Sequence, residues 1–234
     1  MKSDVKPPSG AEPAFPLRTA KAARTRRAII DAAERLFVEE GYASTSVNDI
    51  AQAAGVSRAT VFNSVGGKAD LLRACYDVAT VGDDEPVPLP QRPALIAVRE
   101  EPDPHRTIAL YAAAIAGIGV RLSATYEVFR AAATTEPEIR EQWQQIQDER
   151  LGGARGFVRI LASKGPLRPG LDLDEAGDVV WAHIDASLFH RLVVERGWTR
   201  ERFEAWLTRS LSDYLLGSTP PDAAPPGRAR RRGR

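Results

Sequence analysis

Apolar residues recur along this chain with the spacing of helices, and no stretch alternates as a half-buried strand would. Between Arg24 and Glu40 they fall on one helical face, and Gly41 then supplies the residue type that commonly ends helices. The same periodicity predicts further helices at 47–54, 57–64, 68–80, 104–121, 123–134, 137 to about 163, 173–195 and 199–216. The hydrophobic pattern therefore predicts an all-α fold of about nine helices.

Three stretches rich in proline and glycine interrupt this pattern. Residues 1–17 and 217–234 contain too little apolar surface to offset the entropy of ordering, so we expect a disordered N-terminal arm and a disordered basic tail. The third stretch, 82–93, suits a domain boundary. We therefore expect an N-terminal domain at 18–80, including a linking helix, and a helical body at 81–216.

The stretch from Thr45 to Lys68 has the pattern of two short helices that cross at a steep angle. Ala51 is small where the two backbones come closest, and Gly55 stands where the turn requires a positive φ. Polar residues suited to capping stand at the start of each helix, Ser46 with Asp49 at the first and Ser57 at the second. The inward positions are apolar: Val47, Ile50, Ala54, Val56 and Val61.

The outward face of the second short helix carries small and polar side chains, namely Arg58, Ala59, Thr60, Asn63 and Ser64. Such a face can approach a DNA major groove closely and form hydrogen bonds with base edges. The stretch is therefore interpreted as a helix-turn-helix, in an N-terminal domain of three helices. The alternative is an ordinary helical hairpin, but the apolar spacing, both caps, the preceding amphipathic helix and the nearby basic residues all favour the helix-turn-helix.

Residues 24–72 resemble the DNA-binding domain of the TetR family of transcriptional regulators. The matching residues are Ile29-x-x-Ala-Ala-x-x-Leu36-Phe37, Gly41-Tyr42-x-x-Thr45, Val47-x-x-Ile50-Ala51-x-x-Ala54-Gly55-Val56-Ser57-x-x-Thr60 and Lys68-x-x-Leu71. The resemblance covers about a fifth of the chain, and the helical body behind it is also typical of the family.

The resemblance implies an interface with double-stranded DNA. Phosphate contacts are expected from Thr45, Thr60, Phe62, Ser64 and Lys68, with Ser46 beside them, and base contacts from Arg58, Ala59 and Asn63. The chain departs from the family pattern after Phe62, where Asn63-Ser64-Val65-Gly66-Gly67-Lys68 replaces the usual turn. Phe62 also lacks the hydroxyl of the usual tyrosine, so it cannot donate that tyrosine's hydrogen bond to a phosphate, and packing alone is the alternative role for it.

The formal net charge of +1 conceals an uneven distribution. Residues 1–80 sum to +2, residues 81–216 to −5 and residues 217–234 to +4. A basic arm made of Arg18, Lys21, Arg24, Arg26 and Arg27 precedes the predicted first helix. We expect Arg24 and Arg26 to contact DNA phosphates or the minor groove, and the tail Arg228–Arg234 to add weak non-specific affinity. The alternative is that these basic residues are the solvent-exposed start of the first helix and do not contact DNA.

The resemblance implies a homodimer in which the last two helices of each subunit form the interface, and hence a palindromic operator. Both helices carry apolar residues on more than one side, which agrees with that role, although they could instead complete a monomeric core. The family typically binds a small effector in the body. Candidate pocket residues are Tyr111, Tyr126, Phe129, Trp143, Phe157, Trp181 and His183, although for any single one of them a plain core role is the stronger interpretation.

Other classes of protein fit the sequence less well. A single cysteine forbids an internal disulfide and a cysteine-rich zinc site, and no apolar run approaches the roughly 18–20 residues that span a bilayer. The start of the chain lacks the apolar core of a secretory signal. We therefore expect a cytoplasmic protein, at the nucleoid when bound to DNA, and no membrane partner.

An enzymatic reading has little support in the residues. Cys75 lies on an apolar helical stripe, which favours an inert buried thiol over a nucleophile paired with a histidine. His183 and His190 are too far apart on a helix to share one metal. We therefore expect no catalytic site, no metal and no cofactor.

The expected function is that of a sequence-specific transcriptional regulator, a repressor that a small-molecule effector releases from its operator. One alternative is a regulator without an effector. The other is a helical ligand-binding protein or enzyme in which the hairpin is incidental.

Overall fold

The computed structural model describes the backbone of residues 15–217 and the side chains of residues 20–217. Within these bounds the chain forms α-helices and no strand, which confirms the predicted all-α class. The helices are α1 (Phe15–Glu40), α2 (Val47–Ala53), α3 (Arg58–Ser64), α4 (Lys68–Val81), α5 (Pro93–Glu100), α6 (Pro104–Ala132), α7 (Pro137–Ala162), α8 (Leu173–His183), α9 (Ala186–Phe189) and α10 (Arg200–Leu215). A 3-10 turn at Leu89–Gln91 precedes α5, and a π-helical turn at His190–Glu195 follows α9.

The first helix begins earlier than the hydrophobic pattern predicts. It starts at Phe15 rather than at Arg24, so the basic segment is part of α1 and not an arm in front of it. Alanine is the strongest helix former, and this segment contains several alanines, while a proline is tolerated in the first helical turn. The predicted disorder of residues 1–14 and 218–234, and the basic tail Arg228–Arg234, lie outside the described residues.

Two predicted helix boundaries in the body are wrong. The break predicted near Ser123 does not exist, because Ser123 is a buried residue inside the continuous helix α6. The helix predicted for 173–195 is instead interrupted at Asp185. The carboxylate of Asp185 accepts a hydrogen bond from the Ser187 amide at 2.9 Å and so caps α9, which satisfies a backbone donor at a new helix start.

The chain divides into two compact units. One comprises residues up to Pro86 together with Ala124–Trp143, and the other comprises Val87–Ser123 and the residues from Gln144 onward. The boundary at Pro86 falls within the stretch read as a domain boundary. The division differs from the predicted domains because residues 124–143, expected in the regulatory body, group with the N-terminal helices.

The first unit is built around the apolar face predicted for α1. Ile29, Ala33 and Phe37 are fully buried, as are Ile50 of α2 and Val61 of α3. Each of these short helices therefore contributes a large aliphatic side chain to the core that α1 and α4 share. Their outer faces are left to solvent, which is the arrangement that a recognition helix needs.

The second unit has its own core, to which α6 contributes Ile108, Tyr111 and Ala116. By length and composition alone α6 could cross a membrane, which departs from the expectation that no segment approaches such a span. Several of its apolar residues are instead buried in the core of this unit, where the rings of Tyr111 and Phe157 stack with centroids 3.7 Å apart. Further along α6, Tyr126 and Phe129 are buried in the first unit.

Two glycines with positive φ set the path of the chain through the helix-turn-helix. Gly41, at φ +85°, follows α1, and Gly55, at φ +66°, lies between α2 and α3. No atom lies within 4 Å of the position that a Cβ would occupy on Gly55, so a side chain there would meet no steric clash. The requirement for glycine is therefore one of backbone conformation alone.

Replacing Gly55 with alanine should destabilise the protein by about 1 kcal/mol, because a residue with a Cβ disfavours a positive φ. Thermal unfolding followed by circular dichroism would show a midpoint lower by a few degrees. Gly152→Ala is the matched control, since this glycine is exposed in α7 and a Cβ there also meets open space. The control should be neutral or slightly stabilising, and equal midpoints for the two variants would contradict the conformational argument.

Candidate nucleic-acid interface

Side-chain caps fix the starts of both short helices, as predicted. The Asp49 amide donates to Ser46 Oγ at 3.2 Å, and the Ser46 amide donates to Asp49 Oδ2 at 2.9 Å, which closes a capping box on α2. Hydrogen bonding of the Asp49 carboxyl to the side chain of Ser46, and then to its amide, lowers the pKa of that carboxyl. On α3 the Thr60 amide donates to Ser57 Oγ at 3.1 Å. Both caps satisfy backbone donors that such short helices leave unpaired.

The exposed face of α3 has the composition predicted for a recognition helix. Arg58, Ala59 and Asn63 are exposed, and Thr60 is half-buried beside them. Phe62 is 44% exposed, and the Arg58 guanidinium carbon lies 5.4 Å from the centroid of its ring. A cation over an aromatic face limits the freedom of both groups. The surface thus presents one arginine and one amide that can reach base edges, with little bulk to prevent close approach to a groove.

Beside α3 an open cleft of about 290 Å³ is bordered by two cationic side chains, Arg58 and Lys68. Lys68 Nζ lies 4.2 Å from the ring centroid of Tyr42 and donates to the carbonyl of Ala43 at 3.4 Å. The remaining lining residues are Ala43, Ser44, Thr45, Ser46, Val47 and Asn48. Two cations and several small polar residues around one cleft suit a phosphate group.

The titrating groups beside this cleft respond to their surroundings in opposite ways. Partial burial lowers the pKa of the Lys68 ammonium, and the Glu136 carboxylate opposes that change. Burial, with smaller contributions from the carboxylates of Glu136, Glu138 and Asp70, raises the pKa of Tyr42 to about 12. The Tyr42 phenol, protonated at neutral pH like any tyrosine, thus stays a potential hydrogen-bond donor at alkaline pH as well. Sequence reasoning did not select Tyr42, although its place directly after Gly41 in the matched motif was a usable signal.

The departure from the family pattern after Phe62 has a local explanation in the backbone. Gly66 has a φ of +128°, and a Cβ on it would overlap the Asp70 carboxylate. That carboxylate accepts a hydrogen bond from the Gly67 amide at 2.8 Å and so closes the start of α4. The two glycines thus allow a tight turn that places Lys68 in the first turn of α4, next to the cleft.

One predicted phosphate contact has a different role in the structure. The Thr45 side chain is only 1% exposed, and its hydroxyl donates to the carbonyls of Gly41 at 2.9 Å and Leu36 at 3.2 Å. Its hydrogen is therefore already engaged at the end of α1, where helix carbonyls lack partners within the helix. The prediction that the Thr45 side chain contacts DNA is corrected to a structural role.

Arg26, also predicted to contact DNA, already has partners within the first unit. Its Nε lies 2.9 Å from Asp84 Oδ2, and its Nη1 donates to the carbonyl of Ser64 at 2.8 Å. Arg26 is thus engaged inside the first unit. Arg24 is exposed on α1, and its contact with DNA stays a prediction. Ser64 is half-buried, and its contact with a phosphate also stays a prediction.

The seven residues predicted to line an effector pocket do not form one cluster. Tyr126, Phe129 and Trp143 belong to the first unit, where the first two rings pack against Tyr76 of α4 at 6.4 and 6.0 Å. The other four lie in the second unit: Tyr111, Phe157, Trp181 and His183. Periodicity identifies buried aromatic positions on α6 and α7, but it does not show that both helices contribute to two different cores.

Among the described residues, the potential metal ligands and the single cysteine bear on metal binding and nucleophilic catalysis. No group of three or more His, Cys, Asp or Glu side chains within residues 20–217 could hold a metal ion. Cys75 is fully buried, its thiol lies 3.6 Å from the carbonyl of Ile30, and burial raises the pKa of that thiol above its usual range. A buried neutral thiol is a poor nucleophile.

The comparisons with known proteins point the same way as the geometry. Residues 29–75 match the family model described as bacterial regulatory proteins, tetR family. The chain is 28% identical over 182 residues to the probable HTH-type transcriptional regulator ArpR of Pseudomonas putida, across 72% of this chain and 80% of that protein.

Solved structures share the fold along nearly their whole length. NalD, the secondary repressor of the MexAB-OprM multidrug efflux pump in Pseudomonas aeruginosa, aligns with a TM-score of 0.61 and 24% identity, over 84% of this chain and 98% of NalD. The complex of SmeT with triclosan aligns with a TM-score of 0.63 and 21% identity, over 86% of this chain and 99% of SmeT. At these identities the structural matches establish the fold.

We expect Lys68→Ala to weaken binding to every DNA sequence and to lower the slope of log affinity against log salt by about 1, because one phosphate contact is lost. Asn63→Ala should instead reduce the preference for the specific sequence while leaving that slope unchanged. Fluorescence anisotropy with specific and random duplexes over a salt series measures both quantities.

Arg99→Ala is the matched control for the loss of one positive charge, since Arg99 is exposed on α5 in the other unit. It should leave the salt slope unchanged. If Lys68→Ala and Asn63→Ala behaved alike on specific and random DNA, the assignment of α3 as the recognition helix would be wrong.

Thr45→Val should act on folding rather than on DNA binding, because it removes a hydroxyl that satisfies two backbone carbonyls. We expect a loss of roughly 1–2 kcal/mol in the free energy of unfolding, measured by urea denaturation. The salt slope of DNA binding should stay at the wild-type value at temperatures where the variant is folded. A slope lower by about 1 would restore the phosphate role.

Proposed function

We propose that this chain, which belongs to the TetR family of bacterial transcriptional regulators, is a homodimeric repressor that a small-molecule effector releases from a palindromic operator. The observation that carries the DNA-binding part is the outer face of α3. That face is exposed, small and polar, and Val61 anchors the helix to the core from its opposite side. The protein acts by binding in the cytoplasm, at the nucleoid when on DNA, and not by catalysis.

The contacts proposed at the operator divide into two kinds. Arg58 and Asn63 lie on the exposed face of α3 and would read base edges, since arginine pairs well with guanine and asparagine with adenine. Lys68, with Ser46 at the cleft, would hold a phosphate and set the register of the helix in the groove. Thr60 would contact the backbone from the half-buried side of α3.

Dimerisation is proposed through the segment from α8 to α10. Several large apolar side chains there are only partly buried within the chain, among them Trp181, Trp198 and Trp206, and Val194 is 58% exposed. The indole nitrogen of Trp181 is buried without a hydrogen-bond partner. Large amphipathic rings at a surface are typical of interfaces. A two-fold axis through such an interface presents two copies of α3 and therefore calls for two inverted half-sites.

The effector is proposed to bind in the second unit and to be a small, mostly apolar aromatic compound. The stacked rings of Tyr111 and Phe157 lie in the core of this unit, so the compound would find aromatic partners there. The complex of SmeT with triclosan shows that a protein of similar fold holds such a compound. NalD represses an efflux pump, which supports a repressor role for this chain as well.

Release by an effector requires that the compound bind more tightly to the form with low DNA affinity. The coupling is reciprocal, so the operator must weaken effector binding by the same factor. Typical coupling free energies of 1–3 kcal/mol correspond to changes of about 5- to 150-fold in affinity. A regulator without an effector would show no such change and would be controlled by its abundance or by a partner protein.

The test is a titration of the purified protein against the DNA flanking its own gene, with a shuffled duplex of equal length as control. We expect affinity for one flanking fragment to exceed that for the shuffled duplex by at least about 10³ at physiological salt. A stoichiometry of two chains per operator, from sedimentation of the complex, should accompany it. If no fragment bound better than the shuffled duplex, the repressor proposal would fail.

A further inference from the structure

The C-terminal end of α3 is held from outside the helix by Arg26 of α1. Nη1 of this arginine donates to the carbonyl of Ser64, the last residue of α3, at 2.8 Å. Its Nε donates to the Asp84 carboxylate, at 2.9 Å from one oxygen and 3.3 Å from the other. One guanidinium thus joins the end of the recognition helix to a residue just beyond α4.

The carbonyl of Ser64 is a group that needs such a partner. The last carbonyls of a helix have no amide donor within the helix, and they carry the negative end of its dipole. The amide of Gly67, three residues on, donates instead to the Asp70 carboxylate at 2.8 Å, so Ser64 takes its donor from outside the helix. A charged donor forms a stronger hydrogen bond there than a neutral one would.

The link between Asp84 and the carbonyl of Ser64 uses two different nitrogens of the Arg26 guanidinium. Arg26 and Asp84 are separated by 58 residues, and their side chains are 37% and 24% exposed. Asp84 follows Gly82, which ends α4 with a φ of +99°, so the carboxylate is placed by the end of that helix. A lysine could serve the carboxylate or the carbonyl as a point charge, but it lacks the planar fork that serves both.

We propose that Arg26 is a positioning residue for operator recognition, which fixes the orientation of α3 through the link from Asp84 to the carbonyl of Ser64. Arg26 holds the helix and does not contact DNA. The orientation of the recognition helix therefore depends on where α4 ends. This inference rests on the proposed DNA-binding function. It adds to that function a residue that sets the orientation of the recognition helix α3.

A direct phosphate contact and a positioning role predict opposite effects of removing the Asp84 charge. If Arg26 bound a phosphate, Asp84 would compete with the DNA for it, and Asp84→Asn would strengthen binding. If Arg26 positions α3, Asp84→Asn loosens the link and weakens operator binding, although a negative charge has been removed. The sign of this one change separates the two roles.

The experiment measures operator and random-duplex affinities over a salt series for the wild type, Asp84→Asn, Arg26→Gln, Arg26→Lys and the double variant Arg26→Gln with Asp84→Asn. Asp31→Asn is the matched control, since it removes an exposed carboxylate that pairs with Arg27 on the same helix α1. We expect Asp84→Asn, Arg26→Lys and Arg26→Gln each to weaken operator binding by roughly three- to tenfold. The control should leave it unchanged or slightly stronger.

Two further expectations distinguish positioning from other roles. The salt slope of Arg26→Gln should equal that of the wild type, because no phosphate contact is lost. The double variant should bind the operator no more weakly than Arg26→Gln alone, because the two side chains act through one link. Affinity for the random duplex should change less than affinity for the operator.

Three results would overturn the proposal: tighter operator binding by Asp84→Asn, a salt slope lower by about 1 in Arg26→Gln, or a lower melting temperature with operator affinity unchanged. The last result would assign Arg26 to fold stability alone. A wild-type protein that does not distinguish operator from random duplex would instead refute the proposed function, so the two failures can be told apart.

Discussion

The recognition surface depends on the burial of two aliphatic side chains, one from each of two helices that are too short to exist alone. α2 and α3 have seven residues each, well below the roughly 12–15 residues at which isolated helices become even marginally stable in water. They persist because Ile50 and Val61 are completely buried in a core shared with α1 and α4, and because capping side chains satisfy their free amides. The outer face is thus free to carry side chains chosen for reading DNA rather than for folding.

The same constraint explains why so much of the apparatus around α3 consists of backbone and caps. A helix of two turns has nearly as many unpaired carbonyls and amides as paired ones. Ser57 serves the first turn, Gly55 supplies the positive φ before it, and Arg26 serves the last carbonyl. Each of these residues helps to set the orientation of α3, and none of them needs to contact DNA.

Local patterns predicted the helix-turn-helix well because its determinants are local. The capping box lies within four residues, the turn glycine comes two residues after the end of α2, and the apolar spacing of α1 is a periodic signal. The predictions failed where a distant residue decides the outcome. The Thr45 hydroxyl donates a hydrogen bond to the carbonyl of Leu36, nine positions earlier, and no local sequence pattern indicates that contact.

The body illustrates the same limit on a larger scale. Periodicity located α7 and α10 and the Thr199 cap, since these depend on the residues of the helices themselves. It did not predict the interruption at Asp185, whose carboxylate also lies 3.1 Å from Nη1 of Arg150 on another helix. It also placed the pocket candidates together, because helical spacing records burial but not which core a side chain enters.

Charge counting near a DNA-binding helix is subject to a related ambiguity. Arg26 and Lys68 are both cations within residues 24–72, and composition treats them alike. Their partners separate them, because Lys68 faces an open cleft with an aromatic ring and a carbonyl beside it, whereas Arg26 is divided between a carboxylate and a helix end. A cation whose charge is already matched by a carboxylate releases few counterions on DNA binding, so it contributes little to salt-dependent affinity. The net charge of +1 is therefore a poor guide to the interface, and the number of cations without a carboxylate partner is the quantity that bears on DNA affinity.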